Sequence, residues 1–164
     1  MAKFYKVSED QFIKSMMDTN YTSDAIKKMY ADIKLPKRAT SGSAGYDFYS
    51  PFDFTLQPGC TIKIPTGIRC QMYGGWVLKL YPRSGLGFKY RLQLNNSVGI
   101  IDEDYFYSDN EGHIFVKITN DTNEAKLLKI KSGEGFIQGI FVEYGITTDD
   151  DADGIRNGGF GSTG

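Results

Sequence analysis

The chain has 164 residues, 40% hydrophobic and 24% charged, enough for one sizeable core in one or at most two domains. Nineteen Lys and Arg against twenty Asp and Glu leave a formal net charge of -1, so there is no bulk positive field to hold nucleic acid. No apolar run approaches the roughly 20 residues of a membrane span, and Met1-Ala2-Lys3-Phe4-Tyr5-Lys6 lacks the apolar core of a signal peptide, so a cytosolic protein with no membrane contact is expected.

In residues 8–18 the apolar positions Phe12, Ile13, Met16 and Met17 fall at helical spacing, as do Ile26, Met29, Tyr30 and Ile33 in residues 23–33. Two short amphipathic helices are expected to lead the chain. Ser8 with Gln11 resembles a capping box, and Ser23 or Asp24 could cap the second helix. At about eleven residues each helix needs tertiary packing to persist, and residues 1–34 read as an N-terminal helical extension.

After Pro36 the pattern turns to short runs rich in Tyr, Phe, Ile, Val and Thr, broken by Gly, Pro and Asn. Strands are expected at 46–49, 61–64, 68–73, 76–81, 92–94, 113–119, 127–130 and 136–144. Runs such as Val77-Leu78-Lys79-Leu80-Tyr81 partly alternate, as antiparallel strands with one buried face do. The fold class is all-β, a sandwich, barrel or jelly roll, over residues 35–146. Cys60 and Cys70 read as reduced thiols in a sheet, and the single histidine, His113, excludes any site that needs two.

From Thr147 onward the chain is polar and Gly-rich, with little to bury, so residues 147–164 are expected to be a flexible arm. Asp149, Asp151, Asp153 and Gly154 match the opening of a calcium loop, but Phe160 stands where that loop needs a bidentate glutamate; a solvated linker is the better reading. Gly159-Phe160-Gly161-Ser162-Thr163-Gly164 satisfies G-x-G-x-x-G without the strand and helix a dinucleotide site requires. Its glycine N–H groups and two hydroxyls are nonetheless suited to ringing a phosphate.

Four further segments carry chemistry. Pro82-Arg83-Ser84-Gly85-Leu86-Gly87 closes a strand with a Gly-rich turn bearing a guanidinium and a hydroxyl, both apt for phosphate oxygens. In Gly99-Ile100-Ile101-Asp102-Glu103-Asp104-Tyr105 a carboxylate follows an apolar strand, with an aromatic ring three positions on. Asp47 and Gln138 are polar residues within apolar runs and need partners if buried.

Taken in order, these segments resemble the five motifs of the trimeric dUTP pyrophosphatases (dUTPases): 44–48, 82–87, 99–105, 133–138 and 158–164. The resemblance implies a distorted jelly roll of the β-clip type. It also implies Mg²⁺-dependent cleavage of dUTP to dUMP and pyrophosphate by water attack on the α-phosphorus, which limits uracil in DNA and supplies dUMP for thymidylate synthesis. Asp102 would orient and deprotonate the water, Tyr105 would pack under the deoxyribose, and the strand around Asn96, including Gly99 and Ile101, would read uracil. Arg83, Ser84 and Gly85 would hold phosphates, Gln138 would support the α-phosphate region, and Asp47 would contact metal-bound water while the triphosphate holds the metal. Phe160 would stack on uracil, and Gly161, Ser162 and Thr163 would wrap the γ-phosphate. A homotrimer with shared sites is implied: one chain supplies the second and fourth motifs, another the third, and the remaining one the lid.

The chain departs from the family pattern in three places. The arginine usual five residues before the motif phenylalanine is replaced by Ile155, with Arg156 one position later as a substitute; Gly135 stands where an arginine is common; and 106–112 is longer than the usual turn. The last feature and the N-terminal helices are places where a protein partner could dock. A dCTP deaminase shares the fold but lacks the tyrosine of the third motif and the arm, while a dUTPase-fold protein that chiefly binds a partner is the rival from another class.

Overall fold

The computed structural model describes residues 2–157; Phe160, Gly161, Ser162 and Thr163 lie outside the described residues. In chain order these residues form β1 (Ala2–Lys6), α1 (Glu9–Ser15), α2 (Ser23–Asp32), β2 (Lys37–Arg38), β3 (Tyr46–Tyr49), β4 (Phe54–Leu56), β5 (Thr61–Pro65), β6 (Ile68–Met72) and β7 (Trp76–Pro82). Then come α3 (Ser84–Tyr90), β8 (Leu92–Leu94), β9 (Gly99–Ile101), a 3₁₀ turn (Glu103–Tyr107), β10 (Phe115–Asn120), β11 (Leu128–Ile130) and β12 (Gly135–Glu143). Each of the eight expected strands is present, its ends moved by no more than two residues.

All strand pairs are antiparallel, in the orders β2-β3-β12-β7-β9, β5-β10-β8, β11-β4 and β1-β6. These small sheets wrap one core in a distorted jelly roll. Alternation does the sorting: in β6, Ile68, Cys70 and Met72 are buried while Arg69 and Gln71 stand half out, and β10 buries Val116, Ile118 and Asn120 while exposing Lys117. Phe48, Leu78, Leu80, Ile118, Leu128 and Phe136 fill the centre. Cys60 and Cys70 are free, and burial pushes the Cys70 thiol up to about 12, leaving it inert.

The N-terminal segment differs from its sequence reading. Before the helices comes β1, paired with β6; only its Phe4 is buried, against Tyr46, Phe48 and Phe141. One inward ring in a lysine-bearing run is too little alternation to announce a strand. α1 ends at Ser15, and Met17 is 74% exposed instead of joining the apolar stripe. α2 is capped by Thr22, whose hydroxyl accepts from Ala25 N–H, not by Ser23 or Asp24. The helices are no separate appendage: Phe12, Met16, Ile26 and Ile33 belong to the same core cluster as Phe48 and Phe136. Lys6 of β1 reaches the last turn of α2, donating to Tyr30 O and Ala31 O at 2.9 and 3.1 Å, a cation at the negative end of a helix that has no basic residue there.

A second correction concerns residues 84–87, expected in a Gly-rich turn and found as the first residues of α3. Arg83 O accepts from both Leu86 and Gly87 N–H, and Leu86 and Tyr90 pack on the core. Tertiary contact thus outweighs the roughly 1 kcal/mol that each helical glycine costs. No helix among the described residues is long and apolar enough to cross a membrane.

Candidate active site

The third motif is built by a strand that ends in a 3₁₀ turn. β9 pairs with β7, Ile101 opposite Leu78, and Asp102 then stands as N-cap of the turn Glu103–Tyr107. Three residues per turn bring Asp102 and Tyr105 onto one side, and Tyr105 N–H bonds Asp102 O at 3.2 Å. Both line a cavity of about 550 Å³ together with Asn96, Val98, Gly99, Ile101, Leu80 and Arg156. Leu80, Val98 and Ile101 make one wall apolar, and in the 95–98 turn the N–H groups of Asn95, Ser97 and Val98 bond Lys117 O, Leu94 O and Asn96 O. Ser97 in that turn is left-handed at φ 62°, and the Asn96 side chain is exposed.

Tyr105 is 5% exposed. Its hydroxyl donates to His113 O at 2.7 Å and accepts from Asn110 Nδ2 at 2.9 Å. Burial raises the phenol above its ordinary pKa, against the smaller opposing pulls of Asn110 and Arg156, so the ring meets the cavity uncharged. Asp102 has a half-exposed carboxylate whose Oδ2 accepts from Arg156 Nη2 at 2.5 Å, while Arg156 Nε donates to Asp104 Oδ1 at 2.8 Å. The arm arginine therefore sits on the carboxylates of its own chain.

The first, second and fourth motifs meet elsewhere. β12 runs between β3 and β7, and Gln138 lies opposite both Asp47 and Tyr81; its Nε2 donates to Pro82 O at 3.3 Å. Arg83 pairs through Nε with Asp47 Oδ1 at 3.1 Å and donates from Nη1 to Gly135 O at 3.1 Å. A Cβ on residue 135 would come within 3.0 Å of that Nη1, so glycine here leaves room for Arg83. Ser84 and Gly85 open α3 beside it and are exposed.

The two clusters lie at opposite ends of β7. Asp102 follows Ile101 toward the Trp76 end, where Glu103 also accepts from Gly75 N–H at 3.2 Å; Arg83 follows Pro82 at the other end. From Val77 to Arg83 the strand advances six residues, about 20 Å. One chain therefore brings Asp102, Tyr105, Asn96, Gly99, Ile101 and Arg156 together, and Asp47, Arg83, Ser84, Gly85 and Gln138 together, but not the two groups with each other.

The dUTPase family model matches residues 31–164. The chain belongs to the dUTPase family. The deoxyuridine 5'-triphosphate nucleotidohydrolase of Lactococcus lactis is 43% identical over 137 residues, 82% of this chain and 90% of that protein, and that of Hahella chejuensis is 40% identical over 146 residues, 84% and 91%. The crystal structure of the Streptococcus mutans dUTPase superposes with a TM-score of 0.64 at 33% identity, covering 88% of this chain and 97% of that one.

Sequence reasoning missed Asp104, Asn110 and His113 as neighbours of Asp102 and Tyr105. Asn110 and Gly112 are turn formers close behind Tyr105, which marks a turn but not its contact with the phenol. Among the described residues no three His, Cys, Asp or Glu side chains are grouped to hold a metal.

Proposed function

We propose that the chain hydrolyses dUTP to dUMP and pyrophosphate in a homotrimer whose active sites are shared between subunits. The observation that carries this reading is the Asp102–Tyr105 pair on the wall of a largely apolar cavity of about 550 Å³, in a chain whose relatives are dUTP nucleotidohydrolases. Asp102 holds the attacking water and takes its proton as the water's oxygen bonds the α-phosphorus; pyrophosphate leaves. Its Oδ1 has no partner among the described residues and is open to that water. Tyr105 packs under the deoxyribose, and the 95–98 turn reads uracil through backbone groups, Asn96 adding a side-chain contact. A close-fitting strand excludes the thymine methyl sterically, which an open apolar pocket would separate by only ~1–3 kcal/mol.

The distance from Asp102 to Arg83 supports shared sites. Arg83, Ser84, Gly85 and Gln138 of a neighbouring subunit meet the phosphates that Asp102 cannot reach along its own β7. Asp47 suits a magnesium ion that the triphosphate carries, since it is a single carboxylate beside Arg83 and Mg²⁺ keeps several of its waters. That ion supplies neutralisation of phosphate charge. Residues 147–164 act as a lid, for which the Arg156 pairs with Asp102 and Asp104 must open so that the guanidinium meets phosphate instead. Free Cys60 and Cys70 suit a reducing, cytosolic compartment, and the reaction would keep uracil out of DNA.

Incubation with each nucleoside triphosphate in turn, reading pyrophosphate, tests the assignment. Release from dUTP far faster than from UTP, dTTP or dCTP is expected. Comparable rates on dUTP and dCTP, or ammonia released from dCTP, would overturn it.

A further inference from the structure

The segment 106–112 reads in sequence as a lengthened turn where a partner could dock, yet the structure ties it down on two sides. Arg69 donates to Phe106 O at 2.7 Å and its guanidinium stacks 3.7 Å from the Phe106 ring. Glu111 accepts from Ser8 N–H at 2.8 Å and from Ser8 Oγ at 2.5 Å, with Arg69 3.8 Å away. Because Ser8 is the N-cap of α1, the loop is fastened to the first helix. Glu111 at φ 60° and Gly112 at φ 67° are both left-handed; a Cβ on Gly112 would meet Phe106 Cα at 2.6 Å and Tyr105 O at 2.7 Å. The chain is thereby turned so that Asn110 faces Tyr105.

Asn110 is held through both polar atoms of its side-chain amide and through its backbone oxygen. Its Oδ1 accepts from Gly112 N–H at 3.1 Å, its backbone oxygen accepts from His113 N–H at 3.1 Å, and its Nδ2 donates to Tyr105 Oη at 2.9 Å. The Oδ1 bond fixes which end of the amide faces the phenol. The Tyr105 hydroxyl can then donate only toward His113 O, and ring tilt is fixed from the hydroxyl end.

We propose that Asn110 is a positioning residue that holds the Tyr105 ring against the sugar and so sets the discrimination between deoxyribose and ribose. The inference rests on the functional reading above. A ring excludes a 2′-hydroxyl only if it cannot yield, and functional groups need support that holds them to about 0.5 Å. Asn110 touches no substrate; it acts through the Tyr105 hydroxyl.

The test compares the full-length native chain with Asn110→Ala, Asn110→Ser, Tyr105→Phe and the Asn110→Ala/Tyr105→Phe double variant. It reads kcat/KM on dUTP and UTP, the affinities for their non-hydrolysable imido analogues, and Tm. Asn110→Ala and Tyr105→Phe are each expected to lower the dUTP-to-UTP ratio about tenfold. The double variant should lose no more than either single one, as expected for two groups that act through one contact. Asn110→Ser, which keeps a short donor, should recover part of the ratio. An unchanged ratio in Asn110→Ala, or additive losses in the double variant, overturns the proposal. If Asn110→Ala does not fold, an unchanged ratio in folded Tyr105→Phe, which removes the hydroxyl that Asn110 holds, does the same. A native chain that binds the analogues selectively but does not cleave dUTP would refute the functional reading alone, and the affinity ratio would still decide the role of Asn110.

Discussion

His113 makes the fold sensitive to acid in a defined window. The side chain is fully buried, its ring 4.4 Å from that of Phe115 and 6.3 Å from that of Phe12 on α1. Nε2 accepts from Gly67 N–H at 2.9 Å, which places the neutral imidazole's proton on Nδ1, where no partner is present among the described residues. A second proton would have to enter at Nε2, facing an N–H donor in an apolar surround. Burial, helped by Lys63 and only partly opposed by Glu111, pushes the group down to about 4, against about 6.5 in the unfolded chain. The unfolded state thus binds more protons through this window. The stability contribution is fully present above pH 6.5 and is lost as pH falls toward 4. At about 1.4 kcal/mol per pH unit in the middle of the window, stability should drop about 2 kcal/mol between pH 7 and pH 5. Despite its partial burial, Glu111 lies below the usual carboxylate range, held there by the Ser8 bonds and Arg69. Urea denaturation at pH 7, 6 and 5 measures the slope. His113→Gln, able to accept from Gly67 without titrating, should flatten it. A variant with the native slope would refute the assignment to His113.

Asp102→Asn should reduce kcat on dUTP about 10²–10⁴-fold while dUTP still binds, because the amide keeps the shape but cannot take the proton; titration calorimetry with the imido analogue checks binding separately from turnover. Gly112→Ala should cost more than the roughly 1–2 kcal/mol of a left-handed alanine, since its Cβ also overlaps backbone of residues 105 and 106, and urea midpoints report it. Deleting residues 147–164 should leave Tm within a degree or two, because residues 147–157 are exposed apart from the half-buried Arg156 and surface ion pairs contribute about 0–1 kcal/mol. Activity should nevertheless collapse, and a truncated chain with native turnover would remove the lid from the account.

The strands that could be read from the sequence are those with several inward residues in alternation, as in β6 and β10. β1 was hidden because Phe4 alone points inward and its pairing partner lies more than sixty residues away. α3 was hidden because Gly85 and Gly87 advertise a turn, whereas its helicity comes from Arg83 O and from the packing of Leu86 and Tyr90. At the site, Asp102 and Tyr105 were legible because their spacing is local. The support of Tyr105 was not, since Asn110 reaches it only through the left-handed Glu111–Gly112 turn and the Ser8 latch 103 residues away. Arg156 reads in sequence as a substitute for the usual fifth-motif arginine, and in this structure it rests on Asp102 and Asp104; sequence shows a guanidinium but not which anion it meets first.

In the proposed trimer Arg83 and Asp102, about 20 Å apart along one β7, serve the same phosphate only across a subunit boundary. Arg83→Ala and Asp102→Asn chains, each nearly inactive alone, should be mixed in equal amounts, exchanged, and assayed for pyrophosphate from dUTP after mixed trimers are verified by native mass spectrometry. Random assortment pairs an intact Arg83 with a neighbour's intact Asp102 in about a quarter of the sites, so activity near a quarter of the native level is expected. Activity no greater than the two parents contribute separately would mean that both residues act from one chain, contradicting the shared site.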